Sequence, residues 1–325
     1  MPGDLRNPAP AGHSPADQTG SLQWPLHEVV AELHAARNDW RAAQHREAEP
    51  GSRELPSREV LTTVTHDLRG ALFPLRLGPA DLPPASEDSF VGFTLDRALN
   101  ILLGQVRLEL RFTRRHEAAE GPALEVRARE IVREFALQLP GIRRQLDRDV
   151  EAAYAGDPAA RSVDEILLCY PGIEAVIHHR MAHQLYRLGV PLLARMVAEI
   201  AHSDTGIDIH PGARIGTGFF IDHGTGVVIG ETAVIGERVR IYQNVTLGAK
   251  RFDTDASGAL AKGQPRHPII EDQVVIYAGA TLLGRITVGR GSAIGGNVWL
   301  THSVQAGSVV TQASIRHETA AGEKS

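Results

Sequence analysis

The stretch IGETAVIGERVRIYQNVTL, residues 229–247, sets an aliphatic residue at every sixth position: Ile229, Ile235, Ile241 and Leu247. The same interval runs outward in both directions. Upstream it gives Ile209, Ile215 and Ile221 before a slip of two residues. Downstream, after an irregular stretch, it resumes as Ile270, Ile276, Leu282, Val288, Ile294 and Leu300. A helix face repeats at about 3.6 residues and a strand at about 2, so a period of six is one short strand plus a corner, and three such sides close a triangular coil. Stacked coils bring equivalent residues about 4.8 Å apart and bury the aliphatic starts in one column. The pattern therefore predicts a parallel β-helix.

Four positions after each start, a second inward residue should be small or apolar. The sequence supplies Ala213, Phe219, Thr225, Ala233, Val239 and Val245, then Val274, Ala280, Ile286, Ser292 and Val298. Without the slip, Glu231, Glu237 and Gln243 would take inward places, and an unpaired buried carboxylate costs several kcal/mol. Glycines at 216, 218, 230, 236, 248, 284, 289 and 295 fall where corners are expected, and positive φ is the reason read for them.

With 325 residues the chain is long enough for two domains, and 42% apolar with 22% charged residues is an ordinary globular composition. A net charge of -5 with intermixed signs gives no footprint for nucleic acid or an anionic membrane, which leaves small molecules as partners. One cysteine, Cys169, excludes an internal disulfide, and no export signal opens the chain, so a cytoplasmic location is expected. No apolar run reaches the ~20 residues needed to span a bilayer.

Residues 1–57 are rich in Pro, Gly, Ala and charge and read as a mobile segment with one brief helix around Leu26 to Gln44. Residues 58–205 read as an α-helical domain, with breaks at Pro140-Gly141, Gly156-Asp157-Pro158 and Pro171-Gly172. The β-helix occupies 206–311, interrupted by a polar excursion loop at 250–268, and 312–325 form a tail. The fold class expected is α+β, helices first and β-helix second.

Chemistry concentrates in Asp208-Ile209-His210-Pro211, Asp222-His223-Gly224-Thr225-Gly226 and Pro265-Arg266-His267-Pro268. His223 follows Asp208 by 15 residues, three short of a full coil, which puts both near one prism edge. An imidazole held by a carboxylate is what a general base for a hydroxyl nucleophile requires, and a structural Asp–His pair is the competing reading of the same spacing. His178-His179 with His183 has half the spacing of a zinc site, without the Glu of HExxH.

The string from Asp208 to Leu247, with Arg266-His267-Pro268 and upstream Asp157-Pro158 and Gly172 to Arg180, closely resembles the serine O-acetyltransferases, a branch of the left-handed β-helix hexapeptide acyltransferases. The resemblance covers residues 150 to 305 and implies left-handed winding. It implies transfer of acetyl from acetyl-CoA to the L-serine hydroxyl, giving O-acetylserine for cysteine biosynthesis. His223 then resembles the general base and Asp208 its orienting carboxylate. Asp157 and Asp222 match positions that hold the serine ammonium, and Arg266 matches the partner of the carboxylate. His267 matches a residue beside the reacting centre. Ala278 and Gly296 match backbone positions lining an acetyl-CoA groove between subunits, and Lys250, Arg251 and Lys262 are placed to meet coenzyme phosphates. No metal is implied. A homotrimer or a dimer of trimers is.

The sequence departs from that family in places. The 250–268 loop carries Asp253, Asp255 and Ser257 rather than glycines, Tyr277 stands where glycine is common, and the chain ends at Ser325 with no apolar anchor. Docking of the C-terminus into cysteine synthase is therefore not expected. Two other classes remain open: a zinc-dependent β-helix hydratase, which would use histidines such as His202, His210 and His302, and a non-catalytic β-helix platform.

Overall fold

The computed structural model describes residues 24–44, 55–113, 122–250 and 263–312. The chain divides into two compact units, Met1–Ser52 and Arg53–Ser325. In the first unit the described element is one helix, α1 (Leu26–Ala43), none of whose residues is buried.

The second unit opens with helices α2 (Arg58–Leu72), α3 (Pro74–Leu77), α4 (Glu87–Thr113), α5 (Pro122–Gly156), α6 (Val163–Cys169), α7 (Pro171–Arg187) and α8 (Pro191–Thr205). They form because apolar residues return at helical spacing: Ile131, Phe135, Leu139, Ile142, Leu146 and Val150 of α5 are all buried. The break expected at Pro140-Gly141 does not occur. The helix α5 runs through Pro140, since a face buried on both sides of the proline outweighs the one hydrogen bond it removes. The helix α8 does stop where the sequence says, at Gly206 with φ 70° and its N–H on the His202 carbonyl.

Short strands follow: β1 (Asp208–Ile209), β2 (Arg214–Ile215), β3 (Phe220–Ile221), β4 (Val228–Ile229), β5 (Val234–Ile235), β6 (Arg240–Ile241), β7 (Thr246–Gly248), β8 (Ile269–Ile270), β9 (Val275–Ile276), β10 (Thr281–Leu283), β11 (Thr287–Val288), β12 (Ala293–Ile294), β13 (Trp299–Leu300) and β14 (Val309–Val310). Each pairs in parallel with the strand one coil away, which makes three faces: β1-β4-β7-β10-β13, β2-β5-β8-β11 and β3-β6-β9-β12-β14. The column Ile209, Ile229, Leu247, Leu282, Leu300 is in register, with the slip between the first two and the excursion between Leu247 and Leu282.

Two details differ from the sequence reading. Thr225 is exposed and Val227 takes its inward place, because the two extra residues lengthen the turn before β4 rather than the strand itself. Several corner glycines have negative φ and are needed for space. A Cβ on Gly216 would lie 2.6 Å from the backbone of Gly236, so what glycine permits there is the close stacking of coils.

A buried ion pair ties helices to prism. Arg180 of α7 forks onto Asp149 of α5 through two bonds of 2.9 Å and donates to the carbonyls of Ile215 and Gly216, while the Phe219 amide donates to Asp149. Burial pushes the Asp149 carboxyl up against the opposing pull of Arg180. This staple fixes where the end of α5 meets β3.

Candidate functional site

His223 opens the turn between β3 and β4, at the edge where the third face meets the first. Its φ is 58°, uncommon for a non-glycine residue, and its side chain is 71% exposed. Gly224 follows with φ 90°; a Cβ there would lie 2.4 Å from Ile207. Asp222 is fixed by its amide on the Ile241 carbonyl, and its carboxylate is 3.9 Å from His223 Nδ1.

Asp157 reaches this edge from the end of α5. A Cβ on Gly156 would lie 2.9 Å from Phe220 and closer still to Arg240, so glycine lets the helix end touch the third face. Ser162 caps α6 and Pro171 opens α7, leaving Tyr170 as the joint between them. Its hydroxyl donates to Asp157 Oδ2, and the Ala159 amide donates to Oδ1 at 2.8 Å. These bonds, Tyr170's foremost, hold the Asp157 carboxyl below its ordinary value, with the charges of His223 and Arg240 adding to them. The same bond pushes the Tyr170 phenol up to about 12, so it stays a donor.

Asp208 sits one coil below, its amide on the Val227 carbonyl. Among the described residues it makes no hydrogen bond to His223. Its carboxylate faces α8 instead, 3.7 Å from Arg195 and grouped with Glu199 and His202. The spacing brings the two residues to one edge; the helix α8, packed beside β1, supplies Asp208 with another partner.

Arg266 and His267 occupy a different edge, where the first face turns into the second. Thr232 organises it. Its hydroxyl oxygen accepts from the amides of Arg266 and His267 at 2.9 and 3.1 Å, and its own amide donates to His267 Nδ1 at 3.1 Å. Nδ1 must then be the bare nitrogen, which assigns the proton of the neutral ring to Nε2. Burial, followed by the Arg266 charge, pushes His267 down to about 4, so it is a neutral donor at pH 7. Gly230 makes room for the ring: a Cβ there would lie 2.1 Å from Nε2. Arg266 donates to Glu231 at 2.7 Å, and Tyr186 donates to the other oxygen at 3.2 Å. Burial would raise the Glu231 carboxyl, but Arg266, His210 and Tyr186 outweigh it and leave it low.

The two groups are thus separated by a whole prism face. The three-residue step from Val227 to Gly230, which contains β4, alone spans about 10 Å. Cavities of about 690 Å³ between α7 and β2 and 480 Å³ among α3, α5 and α6 are lined by none of His223, Asp157 or Arg266.

Above His223, the residues two past the ends of β6, β9 and β12 are Gln243, Ala278 and Gly296. Register places Ala278 about 10 Å and Gly296 about 14 Å up the same edge. Neither gives its N–H to a backbone carbonyl among the described residues. Tyr277 stacks on Tyr242 beside them, ring centroids 5.4 Å apart. Lys250 is exposed, whereas Arg251, Lys262, Asp253, Asp255, Ser257 and Ser325 lie outside the described residues.

Of the histidines of the hydratase reading, within one chain His202 pairs with Glu199 at 3.2 Å, while His210 packs edge-on against Tyr186 at the other edge. The rings of His179 and His183 are neighbours at 5.7 Å, but His183 Nδ1 is on the Pro211 carbonyl and His178 Nδ1 on the Glu174 carbonyl. Sequence reasoning missed Tyr170, Tyr186, Glu231 as the partner of Arg266, and Thr232. The first two come from the helical region, whose place against the prism no periodicity encodes.

No family model matches the chain. It is 58% identical over 298 residues, 91% of this chain and 93% of the relative, to a protein named serine acetyltransferase, plasmid, from Synechococcus elongatus. Among solved structures it is similar to serine acetyltransferase 1 of Entamoeba histolytica in complex with L-cysteine, at 40% identity and TM-score 0.67 over 77% of this chain and 86% of that one. Isoform 3 from the same organism, in complex with cysteine, matches at 32% identity and TM-score 0.65 over 90% and 96%.

Proposed function

The chain belongs to the serine acetyltransferase family, and from that membership we infer a left-handed β-helix acyltransferase that moves acetyl from acetyl-CoA to the hydroxyl of L-serine, giving O-acetylserine for cysteine synthesis. One observation carries the choice of acceptor: one prism edge holds the carboxylates Asp157 and Asp222, and the other holds the guanidinium of Arg266. A zwitterionic amino acid meets both, its ammonium on the first and its carboxylate on the second. A sugar acceptor would offer neither edge a charge.

One chain cannot bring these edges together across its own face. The active site is therefore built from two copies, with His223, Asp157 and Asp222 from one and Arg266 and His267 from the next, in a closed ring whose smallest form is a trimer. His223 takes the serine hydroxyl proton. The serine oxygen attacks the thioester carbonyl, and His267 Nε2–H donates to the oxyanion as it forms, an interaction worth about 3 kcal/mol. The C–S bond then breaks, and the His223 imidazolium protonates the leaving thiolate to give free CoA. Asp208 orients the base after rotation of the exposed His223 ring toward it. The free amides of Ala278 and Gly296, on the same edge as His223, receive the pantetheine arm of acetyl-CoA.

Thiol release from acetyl-CoA is assayed with L-serine, L-homoserine and a sugar as acceptors. Serine gives the highest kcat/KM, and His223→Ala removes turnover while acetyl-CoA binding persists. Turnover that does not depend on serine, or that survives in His223→Ala, overturns the assignment.

A further inference from the structure

No residue of the helix α1 is buried, and Leu26, Val30 and Leu33 are aliphatic residues 64, 58 and 52% exposed. A helix of 18 residues with none buried is marginal in water on its own helical propensity, so the exposed aliphatic face of Leu26, Val29 and Leu33 calls for a partner. The spacing says which kind. Leu26, Val29, Leu33, Ala36 and Trp40 fall at alternating intervals of three and four, the a and d positions of successive heptads.

The flanking positions carry charge. Glu32 is at g and Arg37 at e, and neither makes an ion pair among the described residues. Five residues is the interval at which a g position of one parallel strand meets the e position of the next, so Glu32 of one copy faces Arg37 of another. An antiparallel pair would instead set Glu32 against Asp39, like against like. Val30 at the preceding e position adds apolar surface to the seam, and a groove of about 340 Å³ in its second half is lined by Leu33, Ala36, Arg37, Trp40 and Arg41.

We propose that α1 is a parallel coiled-coil seam through which copies of this chain associate, with Leu26, Val29, Leu33 and Ala36 packed on their counterparts and Glu32 paired to Arg37 across the seam. A three-fold axis running along the helices imposes the parallel direction, so the seam suits a closed ring of copies.

Cross-linking of the full-length protein tests this. In a Cys169→Ser background, Leu26→Cys is mildly oxidised and run without reductant. A parallel seam sets the two thiols side by side and gives a covalent pair of chains, whereas Ala31→Cys, on the outer face, gives several-fold less. Adding Glu32→Arg weakens the Leu26→Cys cross-link, and adding Arg37→Glu to that variant restores it. Equal cross-linking at positions 26 and 31 overturns the proposal. So does a cross-link from Leu33→Cys without one from Leu26→Cys, which would mean an antiparallel pair, or a charge swap without effect. Each readout is independent of acetyl transfer.

Discussion

If the site is shared between copies, two inactive variants should make an active enzyme together. His223→Ala removes the base and should cost about 10²- to 10⁴-fold. Arg266→Ala removes a charged hydrogen-bond partner of the acceptor carboxylate, worth about 1.5–3 kcal/mol or roughly 10- to 150-fold in kcat/KM at low serine. The two residues stand at opposite ends of the first prism face, so in a ring each site takes His223 from one subunit and Arg266 from its neighbour. Co-expressed with different tags and purified through both, every trimer contains two subunits of one kind and one of the other. Whatever the arrangement, one of its three interfaces joins an intact His223 to an intact Arg266. The mixed preparation should therefore recover about one third of wild-type kcat/KM, far above either parent. A mixed preparation no more active than the mean of its parents would show that each site lies within one chain, and the two-copy mechanism would fall.

Further outcomes follow from individual contacts. Tyr170→Phe removes a hydrogen bond to Asp157 near the surface, so KM for serine should rise about 2- to 10-fold with kcat little changed; a fall in kcat alone would refute the positioning role. Asp208→Asn should lower kcat with KM for serine kept, and Asp222→Asn should raise that KM; the reverse split would exchange their roles. Asp149→Ala strands the buried Arg180 guanidinium and should cost about 3–5 kcal/mol by urea titration, most of it regained in Asp149→Leu with Arg180→Met; an undiminished loss in the double variant would argue against the pair. His267 is held near 4 in the fold against about 6.5 unfolded, so the unfolded chain binds its proton first. Its contribution to stability is complete above pH 6.5 and is lost as the pH falls toward 4. Asp149, Glu109 and Glu174, whose carboxyls are pushed up by burial, act in the opposite sense. His267→Asn isolates the histidine and should flatten the urea midpoint between pH 7 and 4.5; an unchanged slope would refute the assignment.

The sequence by itself determined the prism. A hexad of aliphatic residues has one geometric solution, and the column Ile229, Leu247, Leu282, Leu300 stands in register as the spacing requires. It also pointed to candidates for the chemistry, because Asp222-His223 and Arg266-His267 break the apolar pattern at corners, where side chains leave the core. Thr225 shows the limit even here, since an insertion can lengthen a turn or a strand and only packing decides which. The rest belongs to tertiary structure. That α5 ends on Phe220 and Arg240, that Tyr170 meets Asp157, that Thr232 sets the tautomer of His267, and that Asp208 faces Arg195 all depend on surfaces meeting across long stretches of chain. Local periodicity records which face of an element is buried, not what it is buried against. The separation of the two charged groups by a full prism face is likewise a property of the closed coil, and it is the physical reason for proposing a site divided between two copies.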